Sequence, residues 1–92
     1  MKIEYELAKK LKDAGFPQDG YFDYEFDLAR PTLSELIEAC GDRFHSLLRY
    51  VPQVDEIDLI WRAYGYDDDQ ITARGKIPEE AVANLWLELN KK

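Results

Sequence analysis

Residues 57–64 read Ile-Asp-Leu-Ile-Trp-Arg-Ala-Tyr, and this stretch decides the fold. Apolar and polar side chains alternate in it with the period of two that is typical of a half-buried β-strand. One face of that strand carries Ile57, Leu59, Trp61 and Ala63, and the other carries Asp58, Ile60, Arg62 and Tyr64. Residues 43–51 before it and 70–74 after it also favour strands. Because the connections are short, the three strands are predicted to form an antiparallel meander.

A helix is predicted after the strands, over residues 78–90. Pro78 suits the first helical position because its φ is fixed, and Glu79 and Glu80 lie near the positive end of the helix dipole. Its broad apolar face consists of Ala81, Val82, Leu85, Trp86 and Leu89. Ile77 occupies the N-cap position without a side-chain oxygen, which costs about 1 kcal/mol relative to Ser or Thr.

Two more helices are predicted before the strands. Residues 3–14 place apolar side chains at steps of four, four and three, and Gly15 supplies the left-handed conformation that ends a helix at little cost. Phe16 can then fold back over the helix end. A second helix over residues 32–40 starts with Thr32–Glu35, which has the spacing of a capping box. Both helices are amphipathic and are expected to pack on the sheet.

Residues 18–30 alternate with a period of two after a turn at residues 18–20. The apolar positions are Phe22, Tyr24, Phe26 and Leu28, and the acidic ones are Asp23, Glu25 and Asp27. This pattern predicts one extended segment with its four large apolar groups turned inward. Three carboxylates on the other face would discourage further strand pairing, so the segment is expected at an edge.

The chain of 92 residues is long enough for one hydrophobic core of ordinary size. The predicted order is helix, extended segment, helix, three strands and helix. A small antiparallel sheet needs a cover for its apolar face, so we expect a single α+β domain over residues 1–92. Its architecture is a two-layer sandwich, in which helices cover a three-stranded antiparallel meander.

Charge and composition exclude several classes of function. Twelve Lys and Arg against nineteen Asp and Glu give a net charge of −7, which disfavours binding to nucleic acid. Residues 1–46 and 47–92 carry −4 and −3, so neither half is basic. Residues 1–6 lack the apolar run that is typical of a signal peptide, and no stretch of the sequence is long and apolar enough to cross a bilayer. We expect a soluble cytoplasmic protein that binds neither membrane nor nucleic acid.

The residues suited to catalysis or metal binding have simpler structural interpretations. Cys40 and His45 could in principle form a nucleophilic pair, but Cys40 continues the apolar stripe of its helix and is expected to fill the core. Asp67–Asp69 could in principle bind a hard cation, yet the loop lacks the glycine and distant glutamate of a calcium-binding loop, so a solvated turn is expected. We therefore predict no enzyme, no cofactor and no metal site.

Surplus tyrosines point to a protein interface. Tyrosine on a surface is typical of protein contact sites, and the candidates are Tyr21, Tyr24, Tyr64 and Tyr66. The leading hypothesis is a non-enzymatic protein–protein interaction module that binds another protein or itself through an aromatic edge bordered by carboxylates. The alternative is an antitoxin-like or nucleic-acid-mimicking acidic inhibitor of a basic protein.

The C-terminal half has two resemblances. Three strands and a helix over residues 43–90, after a helix at 32–40, resemble the order of double-stranded RNA-binding domains. Those domains grip phosphates with Lys and Arg at the start of the last helix, where this chain has Glu79 and Glu80, so the RNA function is not carried over. Residues 72–85 are similar to the strand-to-helix corner of HicB-type antitoxins, although Ile77 replaces the usual Thr and their additional DNA-binding region is lacking.

About half of the chain resembles small uncharacterised proteins of bacterial genomes, often in phage or prophage regions. The matching residues occur in the same order and are 7–18, 31–41, 78–82 and 85–87. This resemblance implies a phage-related protein. It brings no activity with it, so the function has to be argued from the residues themselves.

Overall fold

The computed structural model describes residues 3–18, 22–25, 28–50, 60–65 and 71–90. The helices are α1 (Tyr5–Asp13), α2 (Leu33–Cys40) and α3 (Pro78–Leu89), with a 3₁₀ turn at Gly41–Arg43 after α2. The strands are β1 (Phe22–Asp23), β2 (Leu28–Ala29), β3 (Phe44–Tyr50), β4 (Ile60–Gly65) and β5 (Thr72–Gly75). The predicted α+β class and the order of its elements are confirmed. Residues 57–59 of the predicted second strand and its following turn at 66–69 lie outside the described residues.

Strands β3, β4 and β5 form an antiparallel sheet in that order, as the meander prediction requires. Leu47, Ala63 and Ala73 lie opposite one another across the three strands and therefore share a face. Ala63 and Ala73 are buried, and Leu47 packs against the core. A register shift between Phe44 and Ser46 allows Phe44 to pack on this same face. We call this buried side the core face.

Helix α3 covers the core face, and it lies close to β5 because Gly75 on that strand has no side chain. A Cβ atom on Gly75 would collide with the backbone at Glu80 and Ala81, so glycine lets the first turn of α3 lie directly against β5. Asn84 on the next turn donates its Nδ2 hydrogen to the Arg74 carbonyl oxygen at 2.9 Å. The helix is thereby fixed to the strand by both close packing and a hydrogen bond.

Helices α1 and α2 both contact α3. Helix α1 ends as its sequence predicts, with Gly15 at φ 95° and Phe16 donating its N–H to the Leu11 carbonyl oxygen at 2.8 Å. Helix α2 has the predicted capping box, in which Thr32 and Glu35 each accept the other's backbone N–H. The helices contribute Leu11, Leu36, Val82 and Leu85 to the most deeply buried side chains, and Ile3, just before α1, joins them.

The segment between α1 and α2 corrects one prediction. It keeps its place in the order, but it is a short hairpin rather than one straight strand, with Phe22 opposite Ala29 in a two-stranded sheet of its own. Leu28 is buried as predicted, whereas Tyr24 is 88% exposed at the turn and does not face inward. The predicted position of Phe26 lies outside the described residues.

Local hydrogen bonding explains why the chain turns there. The Asp23 carboxylate accepts the Glu25 N–H at 2.9 Å, which closes a turn. The same carboxylate pairs with the Arg30 guanidinium at 2.7 Å, and Arg30 also donates to the Ile3 carbonyl oxygen. These bonds reverse the chain and attach the hairpin to the residues that precede α1.

Candidate functional site

The second face of the three-stranded sheet is the candidate site. The register places Ser46, Tyr64 and Thr72 in one cross-strand row. The adjacent row on the same face contains Leu48, Arg62 and Arg74. We call these six residues the outer face. Helix α3 lies on the other side of the sheet. There, Gly75 faces the start of the helix at Glu80 and Ala81, and Gly65 faces the Leu89 side chain at its end.

The outer face combines apolar and cationic groups. Leu48 is 55% exposed, although leucine is normally buried. Tyr64 and Arg62 are half-buried because they lie on the central strand, while Thr72 and Arg74 on β5 are exposed. A solvent-facing side of an antiparallel sheet ordinarily carries polar side chains, so Leu48 is the exception on this face. Leucine, tyrosine and two arginines together provide large groups that can make contacts.

Hydrogen bonding sets how close the two arginines lie. The Gly65 N–H donates to the Ile71 carbonyl oxygen at 2.8 Å, so hydrogen-bonded and non-hydrogen-bonded pairs alternate along β4 and β5 from that point. Arg62 and Arg74 are therefore a non-hydrogen-bonded pair, in which side chains approach most closely. Like charges directly opposite one another destabilise a sheet. The pair concentrates positive charge on the outer face.

Charge is sorted by layer in the described part of the chain. Strands β3 to β5 carry Arg49, Arg62, Arg74 and His45 and contain no Asp or Glu. The carboxylates within the helices are Glu6, Asp13, Glu35, Glu38, Glu79, Glu80 and Glu88, and three lysines accompany them on α1. The even split between the two halves of the sequence conceals this arrangement. A protein of net charge −7 thus has a sheet whose own side chains are only neutral or basic.

The four tyrosines predicted at an interface are not gathered at one place by the described structure. Tyr64 lies on the outer face, whereas Tyr24 lies at the turn of the separate hairpin. Tyr21 and Tyr66 lie outside the described residues. The residues next to Tyr64 within the described strands are Ser46, Thr72 and arginines, rather than the carboxylates that the sequence hypothesis placed beside the aromatics.

Sequence reasoning did not select Leu48, Arg62 and Arg74 as site residues. The signal that could have found Leu48 is the period of two over residues 43–51, which assigns it to the face opposite Leu47. The pairing of Arg62 with Arg74 depends on strand register, which alternation alone does not fix.

Cys40 is a core residue, as predicted. Burial raises the pKa of the Cys40 thiol from 9.0 to about 11, and the nearby Arg43 charge opposes this only in part. The thiol is therefore protonated at neutral pH, whereas a nucleophilic cysteine needs a lowered pKa. His45 is exposed, and its Nδ1 lies 2.9 Å from the Ser46 hydroxyl oxygen.

A concavity lies between α1 and the start of α3. It is an open groove of about 230 Å³ lined by Glu4, Glu6, Leu7, Lys10, Glu80 and Asn84. Its lining is mainly polar, with three carboxylates and one lysine. Among the residues that the structure describes, no three His, Cys, Asp or Glu side chains are grouped to hold a metal ion. The described helices are also too short or too polar to cross a membrane.

Comparison with protein-family models, curated proteins and solved structures gives no match for this chain. The resemblances seen in the sequence therefore stay predictions.

Proposed function

We propose that this protein is a non-enzymatic protein–protein interaction module that contacts its partner through the outer face. The observation that carries the proposal is the exposed Leu48 in one cross-strand row with Arg62 and Arg74, beside Tyr64. Tyrosine and arginine are enriched among the residues that dominate binding energy at protein interfaces. An apolar group surrounded by such residues suits a contact that excludes water.

Charge favours a protein partner with carboxylates at its surface. The outer face presents two guanidinium groups, and guanidinium binds carboxylate with two parallel hydrogen bonds. Duplex nucleic acid would meet the same arginines, but it carries one negative charge per about 1.7 Å of its axis, so a chain of net charge −7 repels it more strongly than it repels a few surface carboxylates. The sequence resemblance favours a phage or prophage context. The free Cys40 thiol suits the reducing cytoplasm.

Site-specific photocrosslinking tests the proposal. Photoreactive p-benzoylphenylalanine is introduced in place of Leu48, and in a control protein in place of the exposed Glu38 on α2. In the native cell, irradiation should give a discrete adduct from position 48 that protease removes and nuclease does not. No adduct above the control, or one that nuclease removes, would refute the proposal.

A charge-matched pair of variants sharpens this test. Arg74→Glu reverses a charge on the outer face, and Lys76→Glu reverses one just beyond the end of β5. Because only Arg74 belongs to the proposed contact, its replacement should reduce the adduct at least tenfold while Lys76→Glu leaves most of it. Equal losses would indicate a general charge effect and count against the outer face.

The groove favours a second candidate, an antitoxin-like or nucleic-acid-mimicking inhibitor of a basic protein. Glu4, Glu6 and Glu80 line it, and carboxylates at such spacing could meet a basic surface. Crosslinks would then arise from position 6 rather than position 48. When cell lysate is irradiated instead, the yield of these crosslinks should fall steeply between 50 and 300 mM salt, because exposed charge pairs are screened over roughly a Debye length of 10 Å.

A further inference from the structure

The two edge strands of the three-stranded sheet differ in length and in hydrogen bonding. Strand β5 is four residues long, and its Arg74 carbonyl oxygen already accepts a hydrogen bond from Asn84. Strand β3 is seven residues long, and no described segment pairs with its second edge. A long edge that is not blocked is a template for pairing with another extended chain.

The hydrogen-bond alternation shows which groups of β3 point away from the sheet. Since Gly65 bonds to β5, the backbone groups of Arg62 and Tyr64 turn toward β3. The backbone groups of their partners Ser46 and Leu48 therefore bond to β4. Leu47 and Arg49 alternate with these two residues, so their N–H and C=O groups point away from the sheet. These two residues offer two donors and two acceptors at the spacing of a strand ladder, about 7 Å apart.

The features that usually block an edge are few on this strand. It contains no proline, no lysine and no carboxylate, and its one charged residue, Arg49, would repel a basic strand but not an acidic one. The register shift between Phe44 and Ser46 interrupts regular pairing near the start of β3 only. Residues 46–50 therefore form a regular edge. The exposed Leu48 side chain adds an apolar group to this edge on the outer face.

Charge identifies the occupant. Arg49 is exposed on this edge, and Arg43, which is also exposed, lies just before β3. A second copy pairing through its own β3 would bring the same positive set against itself. An extended segment rich in Asp or Glu would instead meet opposite charge while its backbone completes the ladder.

We propose that the second edge of β3, with which no described segment pairs, binds an extended acidic segment of a partner protein, which adds a fourth strand to the sheet. This inference rests on the proposed protein-binding function and names how the partner docks. Backbone bonds to Leu47 and Arg49 would hold the segment in register. Its carboxylates would lie near Arg49 on one face of the sheet, and its apolar side chains near Leu48 on the other.

Amide exchange measured by NMR tests the docking mode. The probe is a capped heptapeptide of alternating Glu and Val, and its control is the matched Lys and Val peptide. At saturation the Glu peptide should slow exchange of the Leu47 and Arg49 amides at least tenfold. The Ser46 and Leu48 amides, already bonded to β4, should change little, and the Lys peptide should protect none of them.

A charge-reversal variant makes the test specific. Arg49 is exposed, so Arg49→Glu should leave the fold intact while it abolishes protection by the Glu peptide and permits protection by the Lys peptide. No protection by millimolar Glu peptide, or shifts that spare Leu47 and Arg49, would overturn the inference. Protection of these amides that grows with protein concentration alone would overturn it in favour of a second copy.

Two further outcomes separate this inference from the proposed function. Equal protection by a single-stranded oligonucleotide would overturn the acidic-segment proposal, because phosphate would then suffice. A protein adduct from position 48, together with unchanged exchange of the Leu47 and Arg49 amides, would refute only the addition of a strand and would leave the proposed function unaffected.

Discussion

The Phe16 ring packs edge-on against the Trp86 indole, with ring centroids 4.9 Å apart and planes inclined by 72°. Phe16 reaches this position because α1 ends at Gly15, where the chain turns back and Phe16 donates its N–H to the Leu11 carbonyl oxygen. The edge-to-face arrangement is one that aromatic pairs prefer. The contact joins the end of α1 to α3, the helix that covers the sheet.

Replacing Phe16 with alanine is expected to lower the free energy of unfolding by about 3–5 kcal/mol, because a large buried ring is lost. Urea denaturation followed by circular dichroism measures the change. Tyr24→Ala is the matched control, since Tyr24 is also aromatic but 88% exposed, and it should change stability by less than about 0.5 kcal/mol. Equal effects of the two variants would contradict a core role for Phe16.

Local sequence patterns predicted those parts of the fold that depend on neighbouring residues. The capping box of Thr32 and Glu35 and the glycine stop at Gly15 act within three or four residues, so their sequence signals suffice. The period of two in residues 22–28 does not predict the hairpin, because apolar and acidic side chains alternate in the same way in one straight strand and in two short ones. What distinguishes them is Arg30, which binds both Asp23 and the distant Ile3 carbonyl oxygen.

The candidate site was less predictable than the fold for the same reason. Tyr64 was selected because of its residue type, whereas Arg62 and Arg74 gain meaning only from lying opposite each other across two strands. Strand register depends on packing of the core face, where Ala63 meets Ala73. Contacts between residues so far apart in the chain cannot be predicted from any single stretch of the sequence.

Gly75→Ala is expected to destabilise the protein by about 1–3 kcal/mol, because the added methyl group would overlap the backbone of α3 at Glu80 and Ala81. Thermal and urea unfolding measure the loss. Thr72→Ala, at an exposed position of the same strand, is the control and should stay within about 0.5 kcal/mol of the parent. A neutral Gly75→Ala variant would show that α3 does not approach β5 so closely.

The Cys40 thiol is expected to react slowly with iodoacetamide in the folded protein at pH 8 and rapidly in 8 M urea. Burial raises its pKa from 9.0 to about 11, so the folded state favours the protonated thiol. This contribution to stability is fully present below pH 9, where both states are protonated, and is lost as pH rises from 9 toward 11. Rapid alkylation of the folded protein at pH 8 would contradict this placement.

Cys40→Ala isolates the thiol from other groups that titrate in alkali. The free energy of unfolding of the parent should fall more steeply between pH 9 and 11 than that of the variant, and the two slopes should agree between pH 6 and 8. Equal slopes across the whole range would mean that the thiol ionises alike in the folded and unfolded chain.

The N-caps of α2 and α3 give opposite expectations. Thr32 accepts the Glu35 N–H, so Thr32→Ala should cost about 1 kcal/mol. Ile77 caps α3 without a side-chain hydrogen bond and is only half-buried, so Ile77→Thr should gain up to about 1 kcal/mol. Urea unfolding of both variants measures these changes. A loss of stability in Ile77→Thr would show that the packing of its side chain outweighs the missing cap.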